Sequence, residues 1–346
     1  RPVVYGMATI CEAFTDGWGR VLRAPAILIG VFLVSLLLAA PAGSAIRDSI
    51  SGSLGSSLDG GAMADGVDAD WWARFSDAAT GLDRTFTRSV IGFAAVLDNL
   101  SRFLDNEEAD ASLAGLTFAY LAIWLFLIGG ILDRYARMRP TRSQAFFGAC
   151  GTLFFRFLRL GLIAAAGYWL LFGVVHAWLF EGLYGRAIRD LTVERTAFAI
   201  RLALYGVFLA LLGFWNAVMD YAKIRAVVED RRSMLGAFLA GWRFVVGHPL
   251  KAGGLYLLNT LAFAAVVFVY FLTAPGAAGS GAAAWAAFAI GQAYVLARLA
   301  VKLAFYASGT SLFQRSLAHL AYTAAPEPIW PDSPAAEALA NAAGRD

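Results

Sequence analysis

Long apolar stretches without a charged residue dominate the pattern of the chain. Five stretches contain no Asp, Glu, Lys or Arg: Ala24–Ile46, Ala111–Leu132, Leu160–Phe180, Leu202–Met219 and Ala252–Ala297. The last stretch would form about 69 Å of helix, whereas the hydrocarbon core of a bilayer is about 30 Å thick. The turn sequence Ala274-Pro275-Gly276 divides this stretch in two. The pattern therefore predicts six membrane-spanning helices.

The composition excludes several classes of protein. Of the 346 residues, 59% are hydrophobic and 15% are charged, and the mean hydropathy is +0.63. Soluble domains contain roughly a quarter charged residues, so an ordinary cytosolic enzyme and a disordered chain are both excluded. The net charge of +3 is too small to indicate a nucleic-acid partner.

The expected fold class is all-α: a polytopic membrane protein of six transmembrane helices, arranged as three elbow-helix and hairpin units plus an outer amphipathic helix. We expect an interfacial elbow helix in residues 1–23, the first span in 24–46 and an extracytoplasmic segment in 47–110. A five-span bundle with further elbow helices is expected in 111–322, followed by a flexible cytoplasmic tail in 323–346.

Charges in the connecting segments predict the orientation, because cytoplasmic loops carry an excess of Lys and Arg. Arg47–Asp110 contains five Arg and twelve acidic residues, which places it outside. Basic residues cluster between spans two and three and between spans four and five, so both termini are expected in the cytoplasm. The 25 Arg against 3 Lys favour a GC-rich bacterial genome, and hence the bacterial cytoplasmic (inner) membrane.

The first apolar stretch has a second interpretation. Ile27–Ala40, followed by Ala42-Gly43-Ser44-Ala45, resembles the core and cleavage site of a signal peptide. The preceding flank contains Glu12 and Asp16, which is unusual for a signal peptide. The flank also recurs later in the chain.

Two segments before apolar stretches share a sequence pattern. Ala13–Pro25 and Ala237–Pro249 match at six positions with a constant offset of 224, and Ala145 with Phe146 begins a fainter copy that has Phe157 at the Pro position. The aromatic faces predict helices that lie in the membrane interface, with Trp18 and Trp242 as anchors. Either duplication or shared interface chemistry explains the pattern.

The outer segment is expected to form a linker and one helix. Ser51–Gly66 is rich in Gly, Ser and Asp, and Gly81–Asn106 has amphipathic spacing. Trp71 and Trp72 are candidate interfacial anchors. The helix is expected to cap the spans or to lie on the lipid surface.

Catalytic signatures are absent from the sequence. It contains no P-loop, zinc-protease, nucleophile-elbow or Cys-x-x-Cys motif. The histidines, His176, His248 and His319, are far apart, and Cys11 and Cys150 are interpreted as apolar fillers. We therefore expect no enzyme, no catalytic residue, no metal and no cofactor. His176, near Glu181, is a hydrogen-bonded interfacial histidine or a proton site.

Polar residues inside the spans are the strongest candidates for a site, because the bilayer makes them costly. The candidate inner polar cluster consists of Asn216, Asp220, Asn259, Gln292, Arg298 and Lys302. We expect Asp220 or Asn216 to pair with Arg298 or Lys302. The cluster forms either a polar cavity or interhelical contacts at the inner boundary, where Lys302 could also extend to water.

The second half of the chain resembles a group of known proteins. The resemblance rests on Asp220-Tyr221-Ala222-Lys223 through Arg231-Arg232-Ser233, then Ala237-Phe238-x-x-Gly241-Trp242 and His248-Pro249. These segments resemble uncharacterised bacterial six-span membrane proteins, including the membrane domain found with some glycerophosphodiester phosphodiesterases. These residues contain no soluble phosphodiesterase domain, so the resemblance carries over no catalytic residue.

Two functions fit these observations. The first is a non-enzymatic scaffold or accessory subunit of a larger membrane complex, with membrane lipids and other membrane-protein subunits as partners. The alternative is a transporter or permease-like protein that handles a lipid or other amphiphile, supported by the repeated hairpins and the inner polar cluster.

Overall fold

The computed structural model describes residues 2–55, 68–90, 92–276 and 281–319, and these residues form helices and no β-strand. The chain divides into two units. The first is Arg1–Leu312. The second is Phe313–Asp346, of which the structure describes only residues 313–319, the end of the last helix.

Ten helices account for most of the described residues. They are α1 (Pro2–Leu22), α2 (Pro25–Leu54), α3 (Ala69–Ala78), α4 (Ala94–Leu104), α5 (Ala114–Arg137), α6 (Ser143–Ala187), α7 (Glu194–Val228), α8 (Met234–Gly247), α9 (Pro249–Thr273) and α10 (Ala282–His319). Within α6, residues Leu170–His176 and Trp178–Tyr184 have π-helical hydrogen bonding.

Six of these helices are long and apolar enough to cross a membrane: α2, α5, α6, α7, α9 and α10. In the described residues α9 ends at Thr273 and α10 begins at Ala282, so the long apolar stretch is divided where Pro275 predicts. The all-α membrane fold is confirmed. The helix α2 continues beyond the predicted first span, residues 24–46, and ends at Leu54.

The helices α1 and α8 meet the following spans with the same backbone geometry. Ala24, between α1 and α2, has φ −130° and ψ 54°, and His248, between α8 and α9, has φ −132° and ψ 52°. Pro25 and Pro249 then begin α2 and α9, where proline lacks only an N–H that would have no helical partner. The matching sequence segments therefore form matching bends.

A glycine on each of these helices allows close packing. A Cβ on Gly17 would lie 2.5 Å from the Cβ of Ser308 on α10, and one on Gly241 would lie 2.7 Å from the carbonyl oxygen of Val218 on α7. The next residue of the pattern, Trp242, remains 41% exposed. Each helix thus packs its small residues on a span and leaves aromatic surface outside.

The third, fainter copy of the pattern has no bend. The helix α6 continues from Ser143 through Phe157, which is only 1% exposed. Phe157 stands where the other two segments have proline, and it keeps the backbone N–H that continues the helix. In place of the expected third elbow, the described helix is continuous with the span.

The outer segment differs from the single amphipathic helix that was predicted over Gly81–Asn106. The described residues of 81–106 contain two short 3₁₀ turns, and of this range only Ala94–Leu104 is α-helical. Gly81 and Gly92 have φ of +55° and +60°. Residues in this left-handed region interrupt a right-handed helix, which explains why the periodic pattern did not produce one helix.

Trp71 and Trp72 are buried and do not provide lipid anchors. They are 2% and 1% exposed and pack with Phe75 against Ile50 and Leu54 of α2. Since the second half of α2 is part of this cluster, the outer segment is attached to the first span. Part of the predicted linker, residues 56–66, lies outside the described residues.

Candidate functional site

A cavity of about 630 Å³ lies among the six candidate spans and is called the central cavity here. Every one of these helices contributes to its lining, which consists of Ser35, Tyr120, Leu121, Trp124, Tyr168, Asn216, Asp220, Lys223, Tyr256, Phe263, Val295, Arg298, Leu299, Val301, Lys302, Phe305 and Tyr306. The walls therefore combine aromatic rings with charged groups.

Asp220 forms its ion pair within its own helix. Its carboxylate lies 2.9 Å from Lys223 Nζ, and both side chains are about one-fifth exposed. The expected pair with Arg298 or Lys302 is therefore wrong. A spacing of three residues puts Asp220 and Lys223 on the same face of α7, so this pair needs no precise packing between helices.

Lys302 is held by aromatic groups instead of a carboxylate. Its Nζ donates to the hydroxyl of Tyr120 at 3.2 Å and lies 3.5 Å from the centre of the Trp124 ring. A cation over an indole face is attracted by the negative charge of the ring face. This contact holds the ammonium group at the cavity wall without neutralising it.

Arg298 lies one turn before Lys302 on α10 and also lines the central cavity. Its guanidinium carbon is 5.4 Å from the centre of the Tyr294 ring. Among the described residues, no carboxylate lies within salt-bridge distance of Arg298 or Lys302. The described lining thus has three cations and one carboxylate, Asp220, which is already paired with Lys223.

The uncharged members of the predicted cluster take different positions. Asn216 lines the cavity and accepts a hydrogen bond from Tyr168. Asn259 is 1% exposed, donates to Ser308 at 3.0 Å and lines a small pocket of about 10 Å³ that shares Asp220 with the central cavity. Gln292 is not among the lining residues. The structure therefore assembles Asn216, Asp220, Arg298 and Lys302, and leaves Asn259 and Gln292 apart.

Lys302 is partly buried, whereas Arg298 is exposed. Lys302 contacts Tyr120, which is seventeen residues from Arg137, the end of α5, or about 26 Å. The other end of this candidate span, Ala111, is nine residues away, or about 14 Å. Lys302 therefore contacts its neighbouring helix between the two ends of the candidate span.

Part of the cavity lining is exposed. Leu121 and Phe263 line the cavity and are 53% and 36% exposed, and Arg298 is exposed as well. Leu121 and Phe263 are called the lateral rim. Because both belong to candidate spans, the rim is the apolar part of the exposed lining.

A second group of polar residues joins the outer segment to spans three and four. His176 Nε2 lies 2.8 Å from the carbonyl oxygen of Leu104, and its ring packs on Phe180 with centroids 4.5 Å apart. Next to Leu104, Asp105 pairs with Arg201 at 2.6 Å and accepts a hydrogen bond from Tyr205. In the described part of the chain, His176 is therefore hydrogen-bonded at the contact between the outer segment and α6.

The bonds from Tyr205 and Arg201 hold the pKa of the Asp105 carboxyl below its ordinary value of 3.8. They stabilise the ionised form by more than partial burial destabilises it. Spacing along the sequence does not reveal this group, because Asp105 and Arg201 are 96 residues apart.

The other histidines and the cysteines do not form a metal site in the part of the chain that the structure describes. His248 packs on Phe244, Cys11 is exposed, and Cys150 is buried with its thiol 3.8 Å from the carbonyl oxygen of Leu127. His319 is the last described residue, and its side chain lies outside the description.

Comparisons of the chain with protein-family models, with curated proteins and with solved structures found no match. The geometry of the central cavity is therefore the basis on which a function is assigned.

Proposed function

We propose that the chain is an integral membrane protein that takes up an amphiphile from the bilayer into its central cavity, as a transporter or carrier of lipid-like molecules. One observation carries the proposal: the cavity lining combines charged side chains with the exposed apolar residues of the lateral rim. An amphiphile has the same two parts, so it can place its polar group inside while its chains remain in lipid.

The size of the cavity supports this proposal. Ligand sites are commonly about 300–1,000 Å³, and the central cavity is about 630 Å³. Charges inside a membrane are costly and usually mark a pathway or a binding site. The proposal gives Arg298 and Lys302 a ligand and assigns no catalytic residue.

The test is to purify the full chain in mild detergent and to identify the extracted lipids by mass spectrometry. We expect an amphiphile in stoichiometric amount. Leu121→Trp with Phe263→Trp narrows the lateral rim and should lower the retained amount. Leu162→Trp with Phe155→Trp is the matched control, because these residues are exposed on α6 and do not line the cavity.

An accessory-subunit role is the alternative outcome of this experiment. If the purified chain retains no amphiphile, and a second membrane protein co-purifies and protects the lateral rim from modification, the uptake proposal is wrong. The chain would then act as a subunit of a larger complex.

We also propose that the chain lies in a bacterial inner membrane with both termini in the cytoplasm. The acidic outer segment and the basic segments after spans two and four support this orientation through the positive-inside rule. The matching bends at Ala24 and His248 support duplication of an elbow-and-hairpin unit. The resemblance to six-span bacterial membrane proteins remains a proposal of the same kind.

A further inference from the structure

We propose that the amphiphile is an anionic lipid with a phosphate headgroup, and that Arg298 and Lys302 bind the phosphate. This inference rests on the proposed function and adds the chemical class of the ligand. It follows from the charge of the central cavity, the spacing of the two cations and the position of the lateral rim.

The charge balance favours a dianionic headgroup. Asp220 neutralises Lys223 at 2.9 Å, so the described lining keeps two positive charges, those of Arg298 and Lys302. A phosphate monoester carries about −1.5 to −2 charge at pH 7. The charge of a phosphate monoester therefore balances both cations, whereas the single negative charge of a phosphodiester balances one of them. A zwitterionic headgroup would add a further positive charge to a cavity that is already positive.

The geometry suits a tetrahedral anion. Arg298 and Lys302 are four residues apart on α10, a spacing that places their Cβ atoms about 5–6 Å apart on one face of the helix. The Arg guanidinium can hold two phosphate oxygens, and the Lys ammonium contributes a point charge. The contacts of Lys302 with Tyr120 and Trp124 hold its ammonium group at the cavity wall before a ligand binds.

The lateral rim distinguishes a lipid from a soluble anion. Leu121 and Phe263 are apolar and exposed where the cavity opens. A lipid gains apolar contact at this position, whereas a free phosphate does not. A cationic amphiphile is disfavoured, because three cations already line the cavity.

The experiment is a titration of the purified full chain with lipids that have identical acyl chains, followed by native mass spectrometry. The probes are phosphatidic acid, phosphatidylglycerol, phosphatidylcholine and diacylglycerol, with inorganic phosphate as a competitor. We expect the affinity to decrease from phosphatidic acid through phosphatidylglycerol and phosphatidylcholine to diacylglycerol. Inorganic phosphate at millimolar concentration should not displace phosphatidic acid.

Variants assign the binding to the two cations. Arg298→Gln and Lys302→Gln should each weaken phosphatidic acid binding about tenfold or more, a change of about 1.4 kcal/mol, and leave diacylglycerol binding unchanged. Arg243→Gln and Lys251→Gln make the same chemical changes outside the cavity and should alter neither. Arg298→Lys and Lys302→Arg keep the charge and should restore most of the affinity.

The possible results separate this inference from the proposed function. Equal affinity for phosphatidic acid and diacylglycerol overturns the phosphate assignment and leaves uptake of an amphiphile intact. Displacement by inorganic phosphate overturns the lipid assignment. Absence of any lipid binding overturns both. If a Gln variant does not fold, the lipid series on the unmodified chain still decides.

Discussion

At the residue scale, Tyr306 lies between the ion pair of Asp220 with Lys223 and the aromatic contacts of Lys302. The ion pair lies within one turn of α7, and the aromatic contacts join α10 to α5. Lys223 Nζ is 5.4 Å from the centre of the Tyr306 ring, and the Trp124 ring is 6.3 Å from it. Whether Asp220 also interacts with Arg298 can be tested directly.

Asp220→Ala should lower the free energy of unfolding by about 1–3 kcal/mol, because Lys223 then lacks its carboxylate partner. Arg298→Gln should add its own smaller effect, and the double variant should show the sum of the two. Thermal unfolding of the two single variants and the double variant in one detergent measures this. A coupling energy above about 1 kcal/mol would show that Asp220 and Arg298 interact directly.

Asp105 is the residue whose titration matters for the outer segment. Its pKa is held below 3.8 by Tyr205 and Arg201, so its contribution is present above that value and is lost as the pH falls through its lower folded-state pKa. The attachment of α4 should be unchanged from about pH 8 to 5 and should weaken below about pH 4. Because the pair is partly exposed, the effect is at most about 1 kcal/mol.

Hydrogen exchange of Ala94–Leu104 over a pH series measures this attachment. Asp105→Asn should increase exchange at pH 7 and remove the acid-dependent change. Asp98→Asn, on the same helix, is the control, since its pair with Arg102 lies within α4. An Asp105→Asn protein with the original pH profile would contradict the assignment.

At the element scale, the close approach of α1 and α8 to the spans depends on glycine. Gly17→Ala and Gly241→Ala should each destabilise the protein by about 1–3 kcal/mol, because the added Cβ meets neighbouring atoms at 2.5 and 2.7 Å. Gly19→Ala is the control, since no atom lies within 4 Å of its added Cβ. It should be neutral or stabilising by up to about 1 kcal/mol. Melting temperatures that do not separate the three variants would contradict this packing.

The elements also show where a sequence pattern is sufficient and where it is not. The spans were predictable because length and lack of charge follow directly from bilayer thickness. The absence of a third elbow was not predicted from the pattern. The bends occur at Pro25 and Pro249, and Phe157, at the corresponding position of the third segment, does not cause one. The prediction of one continuous outer helix was wrong for a similar reason, because the periodicity of the sequence does not reveal that Gly92 adopts φ +60°.

At the scale of the whole molecule, the site could be predicted only in part. Polar residues in apolar spans indicated Asn216, Asp220, Arg298 and Lys302. The aromatic partners of Lys302 were missed, because Tyr120 is 182 residues away and belongs to a different hairpin. Such contacts depend on how the spans pack, which spacing along one helix does not determine.

The proposed orientation of the whole molecule can be tested by cysteine labelling. In a Cys11→Ser, Cys150→Ser background, a membrane-impermeant maleimide added to intact cells should label Ser57→Cys and Gly279→Cys. It should not label Ser233→Cys until the cells are opened. Labelling of the Ser233→Cys protein in intact cells would invert the proposed topology.

The depth of Lys302 has an electrical consequence. Moving one elementary charge across the whole membrane potential changes its energy by about 2.3 kcal/mol per 100 mV. Lys302 contacts Tyr120, which lies about 14 Å from one end of the neighbouring candidate span and about 26 Å from the other. An anion that binds there from the nearer end crosses roughly a third of the field, or about 0.8 kcal/mol per charge per 100 mV. Occupancy of the cavity by a charged ligand would therefore depend on membrane voltage, and an energised membrane would favour loading from one leaflet over the other.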